Sequence, residues 1–119
     1  MAKKVLVVDD SPIIHNLLTK ALEKHGYQVC GNAKNGKEGV ELYALEKPDI
    51  VFMDITMPIM DGLEAVREIR GKDDQAKIIM LSAMGDQEVM DEAKDLGVQT
   101  FLKKPFNEYK IISALSNII

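Results

Sequence analysis

Short apolar runs alternate with amphipathic stretches five times along the chain. Each pair has the length of a strand followed by a helix, and strict alternation of this kind predicts crossover units joined in a parallel sheet. The predicted strand and helix pairs are 4–8 with 12–24, 28–33 with 37–46, 50–53 with 62–70, 77–81 with 87–96, and 99–103 with 108–118. The first helix is the clearest, because Ile14, Leu17, Leu18, Ala21 and Leu22 recur at the spacing of one buried stripe.

The polarity of the strands predicts their order in the sheet. A parallel strand that helices cover on both sides must be apolar on both sides, and the runs 5–8, 50–53 and 78–81 meet that demand. The runs 27–32 and 100–103 mix apolar and polar residues, so we place strands 2 and 5 at the edges. With right-handed crossovers this gives a flavodoxin-like, doubly wound α/β sheet of five strands in the order 2-1-3-4-5 with five helices, whose switch point lies between strands 1 and 3.

Length and charge exclude several classes of protein. A chain of 119 residues fits one domain, spanning 1–119, and the net charge of -4 argues against direct binding of nucleic acid. No apolar run approaches the roughly 20 residues of a membrane span, and the N-terminal residues lack the apolar segment of a signal peptide. The single Cys30 agrees with a reducing compartment. We therefore expect a cytoplasmic protein without membrane insertion.

Residues that can carry chemistry stand at the ends of four apolar runs. Asp9 and Asp10 follow the run 5–8, Asp54 follows 50–53, Ser82 follows 78–81, and Lys104 lies just beyond 101–102. The three acids end the strands that flank the switch point, where ligand sites form in open parallel sheets. Two carboxylates about 4 Å apart cost roughly 4 kcal/mol at an effective dielectric of about 20, so such a cluster needs protons or a cation. Oxygen ligands without nearby His or Cys favour Mg²⁺ and leave room for a phosphate oxygen.

Four ordered motifs make the chain resemble a known family. The motifs are Val7-Val8-Asp9-Asp10-Ser11, Asp54-Ile55-Thr56-Met57-Pro58 with Asp61-Gly62, Leu81-Ser82-Ala83, and Lys104-Pro105-Phe106. Together they resemble the signature of the receiver domain of bacterial two-component response regulators, and the resemblance covers essentially the whole chain.

The resemblance implies a role for each residue of the acid pocket. Asp54 would be the phosphoacceptor, which attacks the phosphohistidine of a sensor histidine kinase. Asp10, Asp54 and the backbone carbonyl of Thr56 would bind Mg²⁺ directly, while Asp9 would act mostly through a bound water. Lys104, rather than the adjacent Lys103, would neutralise the transferring phosphoryl group.

The same resemblance implies a switch. Ser82 would donate a hydrogen bond to the new phosphoryl group, and this would be coupled to inward rotation of the aromatic residue three positions before the lysine, which is Phe101 here. Helix 4, strand 5 and helix 5 would form the output face. The resemblance also predicts that the Lys104-Pro105 peptide is cis.

The output of such a switch is predicted from the extent of the chain. The sequence ends at Ile119, directly after the fifth predicted helix, without a DNA-binding segment. We therefore expect a monomeric, single-domain regulator of the chemotaxis type that docks to a protein target such as the flagellar motor switch. A phosphatase is a further candidate partner. A phosphorelay intermediate and an isolated receiver of a transcriptional regulator remain alternatives.

Three other interpretations compete with this one. Aspartyl-nucleophile phosphatases also combine a strand-end Asp with Ser or Thr, Lys and Mg²⁺, but they need a second Asp two residues after the nucleophile, where this chain has Thr56. We therefore expect no enzyme beyond self-phosphorylation and self-dephosphorylation. A flavin-binding module is a competitor on fold grounds alone, but its phosphate loop would be rich in Ser, Thr and Gly, where this chain has Asp9-Asp10. A receiver-like domain that no longer accepts phosphate would not be expected to keep the full set of acids, hydroxyl and lysine.

Some residues attract attention for reasons that packing explains. His15 and His25 are ten positions apart without a third metal ligand nearby, so a metal role is not expected, and we interpret His15 as a residue of a helix that packing alone accounts for.

Thr56 and Met84 stand two residues after Asp54 and Ser82, at positions that border the phosphoryl group in this family.

Overall fold

Five strands and five helices alternate strictly along the chain in a computed structural model, which describes residues 3–118. The elements are β1 (Lys4–Val8), α1 (Pro12–Lys24), β2 (Gln28–Ala33), α2 (Gly36–Glu46), β3 (Ile50–Asp54), α3 (Gly62–Lys72), β4 (Ile78–Ser82), α4 (Gln87–Asp95), β5 (Thr100–Lys103) and α5 (Glu108–Ile118). All predicted elements are present, and their ends differ from the predicted ones by at most two residues. One difference matters for function, because Asp54 is the last residue of β3 rather than the first residue of the following loop.

The sheet is parallel and its strand order is β2-β1-β3-β4-β5, as predicted. Strands β1, β3 and β4 lie in the centre, and every residue of β3 and β4 is buried. The edge strand β2 has only one buried residue, Ala33. Cys30 forms a bulge in the pairing of β2 with β1 and is half-buried there, so it is less enclosed than an ordinary central-strand residue.

Alternate residues of the central strands supply two separate cores. In β1, Val5 and Val7 pack with α1 and α5 on one face, whereas Leu6 and Val8 pack with α2, α3 and α4 on the other. The predicted stripe of α1 is buried on the first of these faces, where Leu18 and Leu22 are fully enclosed. Removing a leucine side chain at such a site costs about 2–5 kcal/mol. The two cores hold the central strands in place, and because β1, β3 and β4 are parallel, their carboxyl ends lie at the same edge of the sheet.

Local capping fixes where the helices near this edge begin. The Ser11 side chain caps α1 by accepting from the Ile14 amide at 3.4 Å, with Pro12 as the first helical residue. The Asp61 carboxylate caps α3 by accepting from the Glu64 amide at 2.9 Å. Within residues 3–118, no helix has the length and apolar character needed to cross a membrane.

Candidate functional site

Three carboxylates converge where β1 and β3 end. Asp9 and Asp10 directly follow β1, and Asp54 is the last residue of β3. One oxygen from each of the three lies within 4.8 Å of the others. Asp9 is fully buried and Asp54 is 7% exposed, whereas Asp10 is open to solvent. Neighbouring parallel strands thus bring together acids that are more than forty positions apart in sequence.

Lys104 reaches the same acids from the end of β5. Its Nζ donates a hydrogen bond to Asp54 Oδ1 at 3.1 Å. It also lies 3.1 Å from Asp9 Oδ2, where the contact is an ion pair that is not aligned as a hydrogen bond. The adjacent Lys103 is exposed and makes no ion pair with a described residue. The structure therefore places Lys104, and not Lys103, against the acids.

Burial and mutual repulsion raise the free energy of the carboxylate cluster. Burial, together with the charge of Asp9, raises the pKa of Asp54 above its usual value, although the Lys104 hydrogen bond opposes the shift. Burial alone would lower the pKa of Lys104, but its contacts with Asp54 and Asp9 outweigh that effect and leave the pKa raised. One ammonium thus stabilises two buried carboxylates without fully offsetting their repulsion.

The segment after β3 folds back directly beneath Asp54. The Gly62 amide donates to the Ile55 carbonyl at 2.7 Å, and a Cβ at Gly62 would stand 1.9 Å from the Asp54 carbonyl oxygen. Only a residue without a side chain permits this approach. The sequence motif Asp61-Gly62 located the start of α3, but the sequence did not reveal this contact with the phosphoacceptor candidate.

Ile59, in the same segment, holds an unusual conformation. Its φ angle is 70°, and the Met60 amide donates to the Pro58 carbonyl at 2.7 Å, which closes a three-residue γ-turn. This φ region is unfavourable for β-branched residues. The Ile59 side chain is 79% exposed, so intramolecular packing does not offset the strain.

The turn that carries Asp9 and Asp10 is held by a network that the sequence pattern did not predict. The Asp9 amide donates to the Ala33 carbonyl at 3.0 Å, and the Ser11 amide donates to Asp9 Oδ1 at 2.8 Å. His15 Nε2 contacts the Asp9 backbone carbonyl, and its Nδ1 lies 2.7 Å from Asn32 Oδ1 in β2. The one available signal was that His15 stands four residues after the N-cap Ser11, hence on the side of α1 that faces this turn.

The remaining candidate residues surround the acids at greater distance. Ser82 is buried at the end of β4, one residue beyond Leu81, which pairs with Asp54. Thr56 and Met84 are exposed in the loops after β3 and β4, and Met84 is 91% exposed. Phe101 is half-buried in β5.

Phe101 also borders a groove on the α4 side of the sheet edge. The groove has a volume of about 380 Å³, and its lining includes Ser82, Met90 and Lys103. Lys94 of α4 lies with Nζ 5.9 Å from the centre of the Phe101 ring, within the range of a cation–π contact. The candidate hydroxyl and the candidate switch aromatic therefore open onto the same groove.

The acid cluster fits a hard divalent cation. Its donors are all oxygens, and the fully buried Asp9 Oδ2 receives no hydrogen bond from any residue in the described range. A cation near such an oxygen would offset the repulsion that raises the pKa of Asp54. This donor set matches the carboxylate-and-water coordination that Mg²⁺ prefers.

Comparison with known proteins decides the family. Residues 5–116 match the response regulator receiver domain. This chain is a response regulator receiver. The predicted cis Lys104-Pro105 peptide is also present.

Receivers of known name resemble this one along nearly their whole length. The chemotaxis protein CheY of Thermotoga maritima is 47% identical over 118 residues, which cover 99% of this chain and 98% of that protein. The chemotaxis protein CheY of Bacillus subtilis is 41% identical over 119 residues, which cover 100% and 99% of the two chains. In the solved structure of a CheX-CheY-BeF3-Mg complex from Borrelia burgdorferi, one chain superposes with a TM-score of 0.92 at 33% identity, over 98% of this chain and 88% of that one.

Proposed function

We propose that this receiver is a phosphorylation-activated signalling switch that accepts a phosphoryl group on Asp54. The observation that carries the proposal is the meeting of Asp54 with Asp9, Asp10 and the Lys104 ammonium at one strand-end pocket. A buried carboxylate beside an ammonium and two further acids is suited to phosphoryl transfer, in which positioning and charge stabilisation supply most of the catalysis.

The chemistry at Asp54 needs no general base, because a carboxylate is the nucleophile. Asp54 Oδ1 already accepts hydrogen bonds from the Ile55 amide at 2.9 Å and from Lys104, whereas no donor within residues 3–118 bonds Oδ2. Oδ2 would form the new bond to phosphorus as the phosphorus–nitrogen bond of a sensor kinase phosphohistidine breaks. Lys104 would stabilise the negative charge on the transferring group.

Mg²⁺ is the cofactor we propose for this site. Asp10, Asp54 and the backbone carbonyl of Thr56 would hold it directly, and Asp9 would act through a water. Bound there, the ion neutralises charge on the phosphoryl oxygens. The exposure of Asp10 supports this assignment, since it leaves one side of the cluster open to solvent ligands.

The switch would work by shifting the population between two packings. Phosphorylation adds negative charge and three acceptor oxygens at Asp54, and Ser82 would donate a hydrogen bond to one of them. Phe101 would then rotate inward and leave its contact with Lys94. The groove beside Phe101 supports this coupling, because a change in the ring alters the surface between α4 and β5.

The output we propose is docking to another protein in chemotaxis, with residues 1–119 acting as one monomeric, cytoplasmic domain. Likeness to chemotaxis proteins along nearly their full length supports this setting. The Borrelia structure pairs a similar chain with CheX, which supports a CheX-like partner beside a sensor kinase and the flagellar motor switch. We propose no enzymatic activity beyond self-phosphorylation and self-dephosphorylation, because Thr56 offers no carboxylate where an aspartyl phosphatase needs its second acid.

Binding of a motor-switch peptide tests the docking proposal. The affinity should rise when the receiver is loaded with Mg²⁺ and beryllofluoride, and the rise should disappear in Phe101→Ala. Leu45→Ala is a suitable control, since Leu45 is exposed on α2, which packs on α3, β1 and β2 rather than on the proposed output face. Equal affinity with and without beryllofluoride would refute docking as the output of the switch.

A further inference from the structure

We propose that His15 is a positioning residue for the metal-binding carboxylates. This inference rests on the proposed function of the acid pocket and concerns a side chain outside it. Neither histidine of the chain belongs to the cluster of acids, yet the His15 ring lies directly behind the turn that carries two of them.

The bond that His15 makes orients the peptide between the two acids of this turn. Its Nε2 faces the backbone carbonyl of Asp9, and because a carbonyl can only accept, Nε2 is the donor. The peptide unit to which this carbonyl belongs joins Asp9 to Asp10. The bond therefore fixes the orientation of the one peptide plane that connects the two acids.

The ring itself is held by two other elements. His15 Nδ1 accepts, because Nε2 carries the ring proton, and it lies 2.7 Å from the Asn32 side-chain amide in β2, whose NH2 group donates to it once the amide is turned by 180°. The His15 backbone amide donates to the Ser11 carbonyl at 3.1 Å in the first turn of α1. The ring is thus held between the first helix and the edge strand, and it is half-buried. Because α1 and β2 hold the His15 ring, the ring can in turn hold the turn that carries Asp9 and Asp10.

Asp10 has no comparable support of its own. Asp9 is buried and is held through its amide, its Oδ1 and the ion pair with Lys104. Asp10 is exposed, and no hydrogen bond to its carboxylate occurs among the described residues. The direction in which Asp10 leaves the strand therefore depends on the peptide that His15 orients. Removal of a group that orients a metal ligand typically lowers the affinity for the metal by about 10- to 100-fold.

Two polar substitutions separate this role from packing. In His15→Gln the amide nitrogen can take the place of Nε2 and donate to the Asp9 carbonyl, whereas in His15→Asn the shorter side chain can replace only Nδ1. Mg²⁺ affinity of the unphosphorylated full chain is measured directly by calorimetry, and the free energy of unfolding without Mg²⁺ is measured by urea. His25→Gln is the matched control, because His25 lies on the surface beside Glu108.

The expected result is that His15→Asn weakens Mg²⁺ binding about tenfold or more, while His15→Gln and His25→Gln bind nearly as tightly as the wild type. Equal affinity in both His15 variants, whether high or low, would overturn the proposal, and so would tighter binding by His15→Asn than by His15→Gln. A wild-type chain that binds no Mg²⁺ would instead contradict the proposed metal site itself, so the two failures are distinguishable.

Discussion

The Nζ atom of Lys104 lies 3.1 Å from Asp54 Oδ1, although 50 positions separate the two residues in sequence. The same ammonium lies 3.1 Å from Asp9 Oδ2. Three strands of the sheet, β1, β3 and β5, thus deliver one cation and two buried anions to one point. A receiver needs this arrangement because each transfer adds further negative charge to a pocket that is already acidic.

Removing the Lys104 ammonium should therefore slow phosphorylation strongly and destabilise the fold only slightly. We expect Lys104→Met to lower the rate of phosphorylation by acetyl phosphate about 10²- to 10³-fold, the usual loss when one preorganised charge-stabilising group is removed. The matched control is Lys103→Met, because Lys103 is exposed and unpaired with the acids. Similar losses in the two variants would contradict the assignment of Lys104.

The glycine beneath Asp54 should tolerate no side chain. A Cβ at Gly62 would stand 1.9 Å from a backbone oxygen that cannot easily move, so Gly62→Ala should lower the free energy of unfolding by about 3 kcal/mol. At Gly71, in the same helix, a Cβ would have no other atom within 4 Å. Gly71→Ala should therefore raise stability by up to about 1 kcal/mol. Urea unfolding measures both, and a loss in both variants would refute the close-approach explanation.

Relieving the strain at Ile59 should stabilise the protein. Asparagine tolerates the left-handed region far better than isoleucine, and the exposed Ile59 side chain gives up little packing. We expect Ile59→Asn to raise the free energy of unfolding by about 1 kcal/mol. Ile13→Asn provides the control, since Ile13 is 77% exposed in a right-handed helix. An equal gain at Ile13 would show that lower surface hydrophobicity, and not backbone strain, is the cause.

A hydrogen bond far from the acid pocket should make stability depend on pH. The Tyr43 hydroxyl donates to Asp73 Oδ2 at 2.6 Å, and this bond, with that from the Gln75 amide, lowers the pKa of Asp73. A lowered folded-state pKa contributes stability above the unfolded value of about 3.9, and the contribution is lost as the pH falls through the folded-state pKa.

Tyr43→Phe should therefore lose about 1 kcal/mol at neutral pH and progressively less below about pH 4. Urea unfolding at several pH values gives the comparison. Tyr109→Phe, at a position that is 80% exposed, should match the wild type throughout. A deficit in Tyr43→Phe that is the same at neutral and acidic pH would exclude the ionised Asp73 as its source.

Much of the fold was predictable from the sequence because burial on two faces leaves a plain pattern. The fully apolar runs at 50–53 and 78–81 lie in central strands, and the mixed run at 100–103 forms an edge strand, as predicted. The strand ends then determine which side chains meet at the switch point, so the clustering of Asp9, Asp10 and Asp54 follows from strand order.

Features that depend on individual contacts were not predictable. Isoleucine ordinarily avoids positive φ, so nothing in the residue type at position 59 indicates the γ-turn. His15 lies on the half-buried side of a well-patterned helix, and its two ring contacts depend on where the Asp9 turn and β2 lie rather than on the helix itself. The Lys94 contact with Phe101 likewise requires the packing of α4 on β5. Such contacts depend on how the helices and strands pack in the tertiary structure, and the spacing of apolar residues in the sequence does not determine this packing in detail.

Intact mass after incubation with Mg²⁺ and acetyl phosphate is the sharpest test of Asp54 as the phosphoacceptor. The wild-type chain should gain the mass of one phosphoryl group, Asp54→Asn should gain none, and Asp61→Asn should behave as the wild type because Asp61 caps α3 outside the cluster. Loss of the adduct on omission of Mg²⁺ is expected as well. An adduct that persists in Asp54→Asn would contradict this assignment, since the phosphoryl group would then be carried by another residue.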